Sequence, residues 1–320
     1  MRAGGAVVSP APETLTVGFV GLGRMGGPMA AHLVAAGHRV LGYDLSAGSL
    51  AAAARTGVEP AASAAATAAG ADVVITMLPA GRHVLALYRD EGLLAAARPG
   101  TLFVDCSTID VADARAAHEA AAAAGHQALD APVSGGVTGA EAATLTFMAG
   151  GGEAEFARAA PLLSAMGGKA VHCGAPGAGQ AAKICNNMIL GISMIAVSEA
   201  FVLGESLGLS HQALYDVAAT SSGQCWALSV NCPVPGPVPG SPAGRDYRPG
   251  FAAPLMAKDL GLAAAAARAG GVDAELGLRA AEMYAAFAEG AGAAQDFSGI
   301  VRAIRERSAP TAEQNGTSTP

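Results

Sequence analysis

A doubly wound parallel α/β sheet followed by an all-helical region is the architecture this sequence predicts. Three observations carry that expectation. Short β-branched runs alternate with alanine-rich helical stretches through the first half of the chain. A glycine-rich turn joins the first strand to the first helix, and beyond residue 180 the helical period continues with no strand signal. Alternation of this kind builds a parallel sheet covered by helices, and its loss marks a change of domain.

Taken in order, LTVGFV at 15–20 has strand length and ends at Gly21, which opens a turn. A helix is expected over 24–36, stopped by Gly37 in a C-terminal glycine position. Residues 39–43 form a second strand closed by Asp44. DVVITM (72–77) and TLFVD (101–105) read as further strands, as do 128–130, 144–149 and 170–172. The resulting domains are a dinucleotide-binding (Rossmann) sheet domain over 14–177 and an all-α domain over 178–307, opened by a long interdomain helix. The extension at 1–13 and the Thr/Ser/Pro-rich tail at 308–320 lack periodicity and are expected to be disordered.

Composition narrows the function. The 320-residue chain carries a net charge of −7 without a basic run, which excludes the phosphate-neutralising surface that nucleic acid requires. The charge-free stretch at 217–244 is broken by Pro233, Pro235, Pro237, Pro239 and Pro242, and segments such as 188–197 fall short of the roughly 20 apolar residues of a membrane span. No membrane association is therefore expected, and the N-terminus has no apolar run resembling a signal peptide. Five cysteines without C-x-x-C spacing read as reduced thiols, placing the chain in the cytoplasm. Seven scattered histidines give no metal-ligand spacing, so no metal is expected.

The chemistry starts at Gly21-Leu22-Gly23-Arg24-Met25-Gly26, a G-x-G-x-x-G that follows a strand, opens a helix and is trailed 18 residues later by Asp44. In that setting Gly21 permits the tight turn, Gly23 admits a pyrophosphate, and Gly26 lets helix and strand pack closely. Asp44 would accept from ribose hydroxyls and repel a 2′-phosphate, which favours NAD over NADP. Leu78-Pro79 and Ser107-Thr108 follow the next two strands and complete the cofactor pocket, with His83 a further candidate. Thr108 also suits a helix N-cap.

Lysine is rare: 16 arginines stand against Lys169, Lys183 and Lys258. A lysine kept where arginine predominates can mark a place where Arg will not serve, for instance where the amine has to lose a proton. Lys183 and Asn187 are four residues apart and share a helix face. Lys169 sits in a Met-Gly-Gly-Lys turn and reads as structural; Cys185 reads as core packing.

Four segments, VGFVGLGRMGGPMAAHLVAAGH (17–38), DAPVSGGVTGAEAATLTFMAGG (130–151), GAGQAAKICNNM (177–188) and PVPG with PGFAAPLMAKDLGLA (233–236 and 249–263), resemble the β-hydroxyacid dehydrogenase family and its hydroxyisobutyrate branch. The resemblance implies that Lys183 is the catalytic acid/base and Asn187 its partner, and that Ser134, Gly135 and Gly136 bind the substrate carboxylate. It also implies that Lys258 reaches the cofactor and substrate, with Asp259 supporting it. The activity implied is NAD-dependent oxidation of (S)-3-hydroxyisobutyrate to methylmalonate semialdehyde, a step of valine breakdown, by a homodimer or homotetramer. Alternatives are a related 3-hydroxy acid dehydrogenase or tartronate semialdehyde reductase, and, from another class, a non-catalytic NAD-binding regulatory protein. Where the family commonly has an amide the chain has His83, and Cys232 before the PVPG loop is a second departure.

Overall fold

The computed structural model describes residues 14–308; the extension at 1–13 and the tail from 309 onward lie outside the described residues. The chain divides into two compact units. The first comprises residues up to Ser107, Ala112–Gly135 and Gly139–Gly179; the second takes Thr108–Val111, Gly136–Thr138 and everything from Gln180.

The first unit holds β1 (Thr16–Val20), β2 (Arg39–Tyr43), β3 (Glu59–Pro60), β4 (Val73–Thr76), β5 (Leu102–Asp105), β6 (Gln127–Asp130), β7 (Val133–Ser134), β8 (Leu145–Gly150) and β9 (Gly167–Gly174). They form one sheet in the order β3-β2-β1-β4-β5-β6-β8-β7, with β9 on β8. From β3 to β6 every pairing is parallel. An entirely parallel sheet does not follow, because β8 runs antiparallel to both β6 and β7. The physical reason is length: residues 135–144 between β7 and β8 are too few for a parallel crossover, which takes a dozen or more.

β1 lies between β2 and β4, where the strand order reverses, so the turns after β1 and β4 emerge side by side at the carboxyl edge. The sheet is held by Val17, Phe19, Val73, Ile75, Leu102 and Val104, all at most 1% exposed. Met29 and Leu33, one turn apart on helix Gly26–Ala35, and Leu162, Leu163 and Met166 on helix Glu153–Met166 pack onto them. Such burial stabilises by roughly 1.5–3 kcal/mol per large side chain.

The second unit is helical, as expected. Helices Ala253–Ala269, Glu275–Glu289 and Ile300–Ser308 contribute Met256, Leu260, Tyr284, Phe287, Ile300 and Ile304 to its core, beside Met194 of the long helix Ala178–Ser206. The proline-rich stretch is anchored by burial of Cys232 and Val234 against Phe201 and Tyr247, and Tyr247 Oη donates to the Pro233 carbonyl at 2.7 Å. The expectation that every apolar segment is too short for a membrane needs correction. Helix Ala178–Ser206 has 29 residues and contains an 18-residue window with a mean hydropathy of 1.7, enough to span by length and composition alone. The shortfall arises from counting an unbroken apolar run: Asn186 and Asn187 precede residues 188–197 and Ser198 and Glu199 follow them, yet the helix continues through all four.

Candidate active site

The first unit supplies a cradle for a dinucleotide. After β1, Gly21 adopts φ +94°, and a Cβ built there would lie 2.3 Å from the Met77 carbonyl oxygen, so only glycine fits. A Cβ at Gly26 would fall 1.9 Å from the Gly21 oxygen and 3.0 Å from the Phe19 ring, which is the close helix–strand approach expected of the third glycine. At Gly23 a Cβ would meet nothing within 4 Å. The protein itself does not require glycine there; a small residue keeps open the space beside the helix N-terminus, which no side chain caps. An uncapped N-terminus with open space in front of it suits a pyrophosphate.

Asp44 closes β2 and does more than the motif suggests. Its Oδ2 accepts the Leu22 N–H and its Oδ1 the Ser46 N–H, both at 2.7 Å. The carboxylate thus pins the glycine turn to the end of β2, and each oxygen retains a lone pair for a ribose hydroxyl. No arginine follows it, Leu45 being 92% exposed. Arg24 and Met25 complete the turn, Arg24 exposed and Met25 half-buried. The residues present fit a nicotinamide dinucleotide.

Leu78 and Pro79 follow β4 and lie against this turn: a Cβ on Gly21 would come 3.2 Å from Leu78 Cδ2. Met77 N–H donates to the Val20 carbonyl at 2.9 Å, extending the β1–β4 register into the loop. His83 is exposed on helix Gly81–Arg89. Ser134 ends β7, and Gly135 and Gly136 take φ +133° and +61°, positive values of the kind found in anion-binding nests of successive N–H groups.

The second unit holds a buried polar cluster. On helix Ala178–Ser206, Gln180, Lys183 and Asn187 form one stripe at spacings of three and four, which continues as Met194, Ser198 and Phe201. Lys183 is 7% exposed and Asn187 1%. From helix Ala253–Ala269 comes Asp259, 3% exposed, whose Oδ2 accepts from Asn187 Nδ2 at 2.5 Å. Asn187 Oδ1 in turn accepts from Asn186 at 3.0 Å. Lys258 Nζ lies 3.7 Å from Asp259 Oδ1 and donates to the Thr108 carbonyl at 2.8 Å.

The electrostatics lower the proton affinity of one buried amine. Burial pushes the Lys183 amine below its ordinary value and the Lys258 charge adds to that, while Asp259 opposes. Burial likewise raises the Asp259 carboxyl, against the pull of both lysines and the Asn187 hydrogen bond. An amine whose proton affinity is lowered gives up its proton more readily than an ordinary lysine, which a guanidinium cannot do.

Comparison with known proteins places this geometry. Residues 16–174 match the NAD-binding domain of 6-phosphogluconate dehydrogenase, and residues 177–304 match the model described as NAD-binding of NADP-dependent 3-hydroxyisobutyrate dehydrogenase. A probable 3-hydroxyisobutyrate dehydrogenase of Mycobacterium tuberculosis is 56% identical over 292 residues, 91% of this chain and 98% of the relative. The chain belongs to the 3-hydroxyisobutyrate dehydrogenase family. It is an oxidoreductase of that family, with domains that bind NAD. The family also contains an NAD-dependent L-serine dehydrogenase of Pseudomonas aeruginosa, 47% identical over 88% of this chain and 95% of the relative. A solved structure of the M. tuberculosis 3-hydroxyisobutyrate dehydrogenase with L-serine superposes at a TM-score of 0.89 with 55% identity, covering 92% of this chain and all (100%) of that one.

Within this family member several sequence expectations shift. Thr108 does not cap the following helix, which starts at Val111, so the cap position falls on Asp110; the Thr108 carbonyl serves Lys258 instead. Cys185 is exposed rather than packed in the core, because it falls on the helix face away from the Lys183 stripe. Lys169 lies in β9, exposed, and not in a turn. Cys232 is buried. Sequence signals give little weight to Asp259, none to Asn186, and do not show that Asp105 and Ser107 are hydrogen-bonded to each other. The signals available were a Lys-Asp pair inside an apolar helical run and a D-x-S closing a strand, neither specific without contacts.

Proposed function

We propose that this chain oxidises (S)-3-hydroxyisobutyrate to methylmalonate semialdehyde with NAD, as in valine breakdown, with Lys183 as general base. The observation that carries the reading is the buried Lys183–Asn187–Asp259 cluster, with the Lys183 proton affinity lowered. NAD, when bound, accepts the hydride. Neutral Lys183 takes the substrate hydroxyl proton as the carbinol C–H bond gives up its electron pair, and returns it in the reverse reaction. Asn187 spends one amide hydrogen on Asp259; the other is left for the substrate oxygen, where it stabilises the charge that develops. Ser134, Gly135 and Gly136 bind the substrate carboxylate, and Lys258 contributes positive charge that favours the neutral form of Lys183. Gly21 to Gly26, Leu78, Pro79, His83 and Thr108 bind the cofactor, and Asp44 selects NAD over NADP.

A second reading, oxidation of L-serine, is favoured by the Pseudomonas relative and by the M. tuberculosis relative, whose structure was solved with L-serine. L-serine is itself a 3-hydroxy acid, so the same base and the same nest serve it. The deciding measurement is NAD or NADP reduction by the purified protein across (S)-3-hydroxyisobutyrate, L-serine, 3-hydroxypropionate and glycerate. The highest kcat/KM is expected for 3-hydroxyisobutyrate with NAD. A higher value for L-serine reassigns the substrate, and no turnover on any hydroxy acid leaves only a binding protein.

Asp259 gives a pH test with a definite sign. Its charge raises the Lys183 proton affinity. Asp259→Asn keeps an acceptor for Asn187 but removes that charge, so the acid limb of kcat/KM for oxidation is expected to move to lower pH by roughly one unit. A limb that stays in place or moves upward removes Lys183 as the group that titrates.

A further inference from the structure

The carboxyl end of β5 carries a buried group that the chemistry above does not use. Asp105 is 4% exposed, and its Oδ1 accepts from Thr76 Oγ1 at 2.7 Å, from Ser107 Oγ at 2.6 Å and from Ser107 N–H at 3.2 Å. Ser107 Oγ in turn accepts the Leu78 N–H at 2.8 Å. A hydroxyl has a single proton, and here it is committed to the carboxyl; its lone pairs are thereby turned toward the Leu78 amide. The chain carboxyl–hydroxyl–amide ties the end of β5 to the loop after β4. It does so where Met77 and Leu78 press against Gly21.

The arrangement is costly in isolation. Asp105 Oδ2 is buried without a hydrogen-bond partner. Burial, with some help from the Asp130 charge, raises the carboxyl to about 6 against the Ser107 and Thr76 hydrogen bonds. A group that only filled space here would do so at less cost as an apolar residue. What Asp105 adds is a fixed orientation for Ser107.

We propose that Asp105 is a positioning residue of the cofactor site: through Ser107 and the Leu78 amide it holds the loop after β4 in register with the glycine turn, and so sets the affinity for the dinucleotide. The proposal rests on the reading above that Leu78 and Pro79 contact NAD. The test uses the full chain and four variants, Ser107→Ala, Asp105→Ala, Asp105→Asn and Leu78→Glu. It measures Kd for NAD by calorimetry, KM for the hydroxy acid, and amide hydrogen exchange over residues 76–80.

Ser107→Ala and Asp105→Ala are expected to speed exchange at Leu78 and to raise Kd for NAD about tenfold, the loss of one hydrogen bond to a charged network. The hydroxy-acid KM should stay within about twofold, a split that general loss of stability would not produce. Asp105→Asn, which keeps the Oδ1 acceptor, should recover most of the affinity. If Ser107→Ala binds NAD as the parent does while Leu78→Glu abolishes binding, the loop contacts NAD but needs no support from Asp105, and the proposal falls. If Leu78→Glu also leaves Kd unchanged, the cofactor contact itself is wrong and the proposal falls with it. An Asp105→Asn protein as weak as Asp105→Ala likewise overturns it. Should Asp105→Ala fail to fold, Ser107→Ala decides alone.

Discussion

Lys183→Ala is expected to lower kcat for hydroxy-acid oxidation by about a thousandfold while Kd for NAD changes little, since a positioned acid/base typically contributes 10²–10⁴. Lys183→Arg should fail as badly, because a guanidinium cannot act as a base at any accessible pH. The pH dependence gives the sign. Burial and the Lys258 charge lower the Lys183 proton affinity. Oxidation needs the free amine, so kcat/KM rises with pH through a value below that of an ordinary lysine. Reduction of the aldehyde needs the ammonium and falls with pH through the same group. Stopped-flow and steady-state measurement of both directions in parent and variant would check this. A Lys183→Ala enzyme that retains turnover, or two directions with the same slope, would leave the reaction without its proposed base.

The second large effect is expected at Gly21→Ala. The residue sits at φ +94°, and the new methyl would lie 2.3 Å from the Met77 carbonyl oxygen, a backbone atom that cannot swing aside. Strain at a left-handed position and overpacking each cost about 1–3 kcal/mol, and relief requires the β1 and β4 ends to move apart. Those are the two turns that frame the proposed cofactor pocket. The variant should lose several degrees in melting temperature and bind NAD at least about tenfold more weakly. Gly23→Ala serves as the contrast, because a Cβ there meets no protein atom within 4 Å. It should fold as the parent does and lose NAD affinity alone. A Gly21→Ala protein with unchanged melting and unchanged NAD affinity would show that this turn is not the constrained element described above.

Much of the first unit was readable because its signals are local. A strand, a glycine turn, a helix and a terminal acid at fixed spacing report a geometry that each residue enforces on its neighbours, and Gly21, Gly26 and Asp44 occupy the places their spacing implies. The glycine at 23 was readable for a different reason: nothing in the fold demands it. Antiparallel β8 was missed because pairing direction depends on the reach of the connection after Ser134 and not on the strands' own residues. The long helix was legible from its period, whereas its capacity to span was missed because polar residues on either side of 188–197 look like an end to the apolar run.

The sequence by itself determined the layered α/β sheet, the dinucleotide-binding turn, and the one lysine face worth singling out. Periodicity and backbone freedom act over a few residues, and a single chain displays them directly. Tertiary structure alone decided the partners: that Asp259, 76 positions beyond Lys183, lies in the same buried cluster, that Thr108 offers Lys258 a carbonyl instead of capping a helix, and that Asp105 reaches Leu78 through Ser107. Burial sets what a charge costs and which neighbour offsets it, and burial is a property of packing between distant segments.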